Sequence, residues 1–232
     1  MHIEPGLLTG AKMALSYLTG TATLFGAARS VWTTLFVSER VVPTFAHLLR
    51  FWVRSACAFA IAFAAFELLP HPAVGVSEVH LILGSTLFLL FGLAPAAVGL
   101  ATALLVQSLF FAPYDLPQYF ANVTTLLVPL FAVAAVAKRT IAPQTPYTDL
   151  RYRDVFRLSL TYQGGVVLWV AFWAFLGLGA QAWQQIATFG AAYLSVLVVE
   201  PALDLALLAA AKHAKPWLGE DTLFTARLHR AA

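Results

Sequence analysis

Hydrophobic positions along this 232-residue chain fall in long unbroken runs rather than in alternation, and polar or Pro- and Gly-bearing stretches separate those runs. Runs near 20 residues match the helix length that crosses the roughly 30 Å hydrocarbon core of a bilayer. The first covers 9–27, where Gly10, Ala14, Ser16, Gly20 and Gly26 would let neighbouring helices approach closely. Residues 29–54 mix Arg29, Glu39, Arg40, His47 and Arg50 with Trp32, Phe36, Phe45 and Phe51, which reads as an interfacial stretch rather than a span. A second span is predicted over 51–69, closed by Pro70-His71-Pro72. Ser77 is expected to cap the next helix, with Glu78 in its first turn and His80 at its mouth. Residues 80–112 are too long for one crossing, and Gly92-Leu93-Ala94-Pro95 divides them into a helical hairpin. Further spans are predicted over 122–137, 158–178 and 186–211. Ahead of them all, Pro5 and Gly6 make residues 1–8 an ordered loop that can fold back onto the helices.

These elements add up to an all-α integral membrane protein, a bundle of about seven transmembrane helices. The chain reads as one membrane domain over 1–232, with the amino-terminal loop at 1–8, transmembrane helices over 9–211 and a cytoplasmic tail at 212–232. Composition agrees: 60% of residues are hydrophobic and 11% charged, against roughly 45–50% and 25% in soluble domains. The net charge of +3 does not point to nucleic acid, because the basic residues sit in the connecting segments rather than along one face. With an outside amino terminus and seven crossings, the inner segments hold Arg29, Arg40, Arg50 and Arg54, then Lys138, Arg139, Arg151, Arg153 and Arg157, then Lys212, Lys215, Arg227 and Arg230. Only Lys12 of the 14 basic residues falls outside. That asymmetry predicts a multi-pass protein of the cell (inner) membrane with its amino terminus outside and its carboxyl terminus cytoplasmic. The first apolar run has no basic leader, so internal spans are expected to direct insertion. The one cysteine, Cys57, lies within an apolar run and reads as packing.

The candidate chemistry lies at the amino terminus. The α-amine of Met1, the backbone nitrogen of His2 and its imidazole can close two adjacent chelate rings on one metal ion. A fourth nitrogen would complete a planar site, which favours Ni(II), Cu(II) or comparable Co(II) chemistry. On the predicted topology His71 and His80 share that outer face. Glu200 and Asp204 lie one turn apart in the last span, towards its inner end, where pairing with Arg or Lys or contact with a partner subunit is expected.

The start Met1-His2-Ile3-Glu4-Pro5-Gly6 resembles the CbiM/NikM family, the substrate-capture subunits of energy-coupling factor (ECF) cobalt and nickel transporters. Gln107-Ser108-Leu109-Phe110-Phe111 and the later Ala121-Asn122-Val123 are similar to two further stretches of that family. The resemblance implies a seven-helix bundle whose inserted amino terminus binds metal through Met1 and His2. Counting back from Gln107 places the family's further histidine ligand at His80, with His71-Pro72 as the rival, and makes Asn122 a candidate support behind the ligands. The paired glycines usual ahead of Asn122 are replaced by Pro113-Tyr114-Asp115.

The function expected on this resemblance is capture of Co(II) or Ni(II) as transported substrate in an ATP-driven ECF-type importer, with no bound organic cofactor. The chain has no Gly-x-x-x-x-Gly-Lys-Ser/Thr loop, so partner ATPases are expected to hydrolyse ATP. A transmembrane coupling subunit and a small accessory membrane subunit complete the implied partners, beside the lipid bilayer. An enzyme is not expected, since neither His-Glu-x-x-His nor Gly-x-Ser-x-Gly occurs. The alternative is a non-transporting structural or assembly subunit of a membrane complex.

Overall fold

A computed structural model describes residues 6, 8–37, 44–218 and 223–229. The element order is α1 (Ala11–Trp32, continued by a π-helical turn, Thr33–Val37), α2 (Phe45–Glu67), the strands β1 (Ala73–Val74) and β2 (Ser77–Glu78), α3 (Gly84–Phe91), α4 (Leu93–Phe110), α5 (Tyr119–Thr140), α6 (Tyr152–Leu178) and α7 (Trp183–Leu218). Four stretches of the described chain are long and apolar enough to cross a bilayer: Phe45–Glu67, Leu93–Phe110, Pro113–Thr140 and Tyr152–His213, the last holding both α6 and α7.

The interfacial reading of 29–54 is corrected by α1, which runs on to Trp32, and by α2, which begins at Phe45 behind the capping hydroxyl of Thr44. The third crossing differs more. Eight helical residues give α3 a length of roughly 12 Å at 1.5 Å per residue, less than half the hydrocarbon thickness. The count of seven full helical crossings therefore does not hold for α3. Residues Ser77 and Glu78 are not a helix start but the second strand of a two-residue antiparallel hairpin, with Ala73 opposite Glu78 and Val74 opposite Ser77. The chain then runs non-helically through residues 79–83 and enters α3 at Leu83, whose φ of 61° is left-handed. Such a φ costs a branched residue roughly 1–2 kcal/mol, and the surrounding structure must hold it there. Non-helical backbone at this depth is tolerable because protein, not lipid, surrounds it: Ile82, Leu83 and every residue of α3 are buried.

At the far end of α3 the turn expected at Gly92 is present, with φ 87°. Phe91 stacks on Phe224 there, and the Thr225 amide donates to the Leu90 carbonyl at 2.7 Å. The same end gathers the basic segments: His47, Arg54 and Thr225 line one pocket with Gly92, Arg227 donates to the Ala142 carbonyl at 3.1 Å, and Lys212 donates to Asp149 at 3.0 Å. The opposite end carries the C-terminus of α2, the β1–β2 hairpin and the start of α7. Helix α4 packs along α2 and α5, and α6 packs between α5 and α7. Gly99 makes the α2 contact close, since a Cβ there would lie 2.6 Å from that of Ala58.

Candidate metal centre

The hairpin is what assembles the centre. Pro70 and Pro72 keep the chain out of a helix after α2, Gly75 takes the left-handed turn at φ 65°, and the Val79 amide donates back to the Pro72 carbonyl at 3.0 Å. Residues 78 and 80 then fall two apart along extended chain, a spacing that puts both side chains on one side. The Glu78 carboxylate reaches His80 Nε2 at 2.9 Å and His71 Nδ1 at 3.8 Å. The two imidazoles stack with centroids 4.9 Å apart and planes 10° apart. Ligand atoms of His71, Glu78 and His80 all lie within 4.8 Å of one another, close enough to serve one metal ion.

The three side chains differ in environment. His80 is fully buried, with the edge of Phe66 against it and Tyr193 donating to its backbone carbonyl at 3.3 Å, whereas the His71 side chain is 37% exposed. Burial drives the His80 pKa far below its ordinary value, with the His71 charge acting in the same direction. The ring is therefore neutral, the form in which histidine ligates metal. If Nε2 carries the proton and donates it to Glu78, Nδ1 offers the lone pair, the carboxylate–histidine–metal arrangement that fixes tautomer and orientation. The structure thus brings His71 and His80 to one place instead of choosing between them. Met1 and His2 lie outside the described residues. Asn122 is buried in the first turn of α5. Gln107, carried by the second motif, donates to Glu67 Oε1 at 2.7 Å and so ties α4 to the C-terminal end of α2 that leads into the hairpin.

Glu78 was missed as a site residue because a helix was expected there; the Glu-x-His spacing flanked by prolines was the available signal. Glu200 and Asp204 also depart from expectation. Both are buried inside the bundle and are held by hydroxyls and an amide, and among the described residues no Lys or Arg pairs with them, so the expected basic pairing is not seen there. Ser85 Oγ lies 3.0 Å from Glu200 and 2.8 Å from Asp204, Ser159 Oγ lies 2.9 Å from Asp204, Thr86 donates to Asp204 and Gln163 donates to Glu200. The physical reason is the short α3: its first turn opens towards α7, and the Ser85 amide also donates to Glu200.

Residues 2–218 match the family model described as the cobalt uptake substrate-specific transmembrane region, CbiM. The chain belongs to the CbiM family. As a CbiM-family member it is a membrane component of metal transport rather than a member of an enzyme family, and cobalt or a related transition-metal ion is the family's substrate. Two solved structures share the CbiM-like fold. A crystal structure of a transition metal transporter aligns with TM-score 0.65 at 18% identity, covering 94% of this chain and 100% of that one. A truncated transition metal transporter aligns with TM-score 0.57 at 19% identity, covering 92% of this chain and 97% of that one. No curated protein matches the chain significantly.

Proposed function

We propose that the chain is the substrate-capture subunit of an ATP-driven ECF-type importer and takes up Co(II) or Ni(II) at the outer face of the membrane. The ligands are the Met1 amine, the backbone and imidazole nitrogens of His2, and His80. Glu78 orients the His80 ring, and His71 covers it from the solvent side. One observation supports this most: a neutral, buried histidine, gripped by a carboxylate and stacked on a second histidine, sits at the end of the bundle opposite the gathered basic segments. Four nitrogens around one ion suit Ni(II) and Co(II) better than Mg(II) or Ca(II), which favour oxygen.

Partner ATPases and a coupling subunit supply the energy in this reading, with room for a small accessory membrane subunit. The experiment is uptake of labelled Co(II) and Ni(II) by cells carrying the chain with or without its co-expressed ATPases, joined to identification of the metal that co-purifies. Uptake that needs the ATPases, and a near-stoichiometric cobalt or nickel content, are expected. A purified protein that binds neither ion would sink the capture role and favour an assembly subunit.

A further inference from the structure

We propose that Glu200 and Asp204, with Ser85, Ser159, Tyr162 and Gln163, form an inner binding site for a divalent cation, enclosed in the bundle below the histidine cluster. That the natural cation is the transported ion rests on the function proposed above; the site itself does not.

Two carboxylates lie at 0% and 1% exposure, one helical turn apart on α7, and no described lysine, arginine or histidine pairs with them. Burying one such charged group unpaired is strongly unfavourable, and in a lipid-surrounded bundle water cannot share the charge. The α3 N-terminus offsets about half a unit of charge at most. A divalent cation neutralises what is left.

Hydroxyl donors to the two carboxylates are in short supply. Ser85, Thr86 and Ser159 bring three hydroxyl protons to five oxygen–oxygen approaches, so the Ser85 hydroxyl faces both carboxylates with one proton to give.

Tyr162 is fully buried, and its hydroxyl has no hydrogen-bond partner among the described residues. Its ring tip lies against Gly84, where a Cβ would fall 2.0 Å from Tyr162 Cζ, and its hydroxyl is coupled electrostatically to Glu200 and to Tyr193. Gln163 is equally buried, holds Glu200 through its nitrogen and leaves its Oε1 unpartnered. Buried oxygens with no donor to accept from, one on a ring coupled to Glu200 and one on the residue that holds Glu200, are what an oxygen-ligated cation would satisfy.

The place of the site adds a route. Tyr193 bonds the His80 carbonyl, and Glu200 follows Tyr193 by seven residues, roughly 10 Å along α7. Polar groups therefore run from the histidine cluster through Tyr193 and Tyr162 to the acid pair.

Mn(II) is the direct probe, because it favours oxygen ligands and ranks lowest in affinity at nitrogen sites. The whole chain, purified with its Met1 start, is titrated with Mn(II) by electron paramagnetic resonance and with Co(II) by calorimetry. Expected are one bound Mn(II) in the wild type and in H80A, its loss in the double variant E200Q/D204N, and weakening by about tenfold in Y162F, which removes one neutral oxygen. Y162F leaves the acid pair in place and answers even if the double variant fails to fold. Overturning results are no Mn(II) binding by the wild type, unchanged binding in folded Y162F and E200Q/D204N, or loss of Mn(II) in H80A; the acids would then hold protons or only cap α3. An unchanged number of tightly bound Co(II) ions in H80A would sink the histidine reading and leave the inner site standing.

Discussion

His80 Nε2 and Glu78 Oε2 lie 2.9 Å apart, joining a fully buried imidazole to a carboxylate that also faces His71 at 3.8 Å. The pair ranks the three residues. His80→Ala removes the proposed ligand and is expected to weaken Co(II) and Ni(II) binding by more than about a hundredfold, while Glu78→Gln loses about 10–100-fold as a support. His71→Ala should cost least, since its ring is partly solvated. Calorimetry on the three proteins checks the order, and a His71→Ala loss exceeding that of His80→Ala reverses the assignment.

Burial of His80 also predicts an acid response of the metal-free protein. Its folded pKa lies below the ordinary value of about 6.5, so the unfolded chain binds the extra proton first. The stability contribution is present above that value and is lost as pH falls below it. Melting temperature should fall on acidification from about pH 7 to 5 and fall less steeply in His80→Phe. Parallel curves for the two proteins would show that His80 does not titrate in unfolding.

Gly75 ties the hairpin to α7. Its φ is 65°, and a Cβ would lie 2.1 Å from the Gln185 carbonyl oxygen, so backbone must move to admit alanine. Gly75→Ala is expected to lower stability by roughly 1–3 kcal/mol and to weaken metal binding with it, because the displaced strand carries Glu78. A melt and a Co(II) titration on the same sample test it; full affinity in a destabilised protein would mean that the hairpin tolerates the shift.

The long helices were legible because apolar runs of 18 or more residues admit few alternatives, and α4 to α7 fall close to the predicted spans. The segment from Ser77 to Phe91 was not. Its stretch Gly84–Phe91 is as apolar as the spans, and what breaks the helix is tertiary: Leu83 is held left-handed, and the Glu200 carboxylate from α7 accepts from the Ser85 amide at the uncapped start of α3. The family resemblance, counted back from Gln107, points to His80. Bringing His71 and Glu78 beside it needed the hairpin, which only Gly75 and the two prolines hint at.

Orientation in the membrane is open to direct test. The three basic segments meet at one end of the bundle, which predicts that this end is cytoplasmic. Single cysteines at Ala73 and Gln144, both exposed and at opposite ends, are introduced into a Cys57→Ala background. An impermeant thiol reagent on intact cells should label the first only. Labelling of Gln144→Cys alone would put the histidine cluster on the cytoplasmic side and end the capture reading.

The last prediction concerns the Met1 amine. Converting it into a peptide bond removes a basic nitrogen and leaves a neutral amide, a poor ligand until deprotonated, and one added residue also moves His2 to third position and changes its chelate rings. A residue placed ahead of Met1 should therefore abolish high-affinity binding, although His71, Glu78 and His80 stay where they are, while a carboxyl-terminal tag should be harmless. Proton competition gives a second signature: an α-amine ordinarily titrates near 8, so affinity in the native-start protein should weaken as pH falls below about 8, a trend in which the already neutral His80 takes no part. Helicity and melting temperature are matched before titration. If the extended protein binds Co(II) or Ni(II) as tightly as the native one with the same pH trend, the amine is not a ligand, and the His71–Glu78–His80 cluster would have to hold the ion by itself.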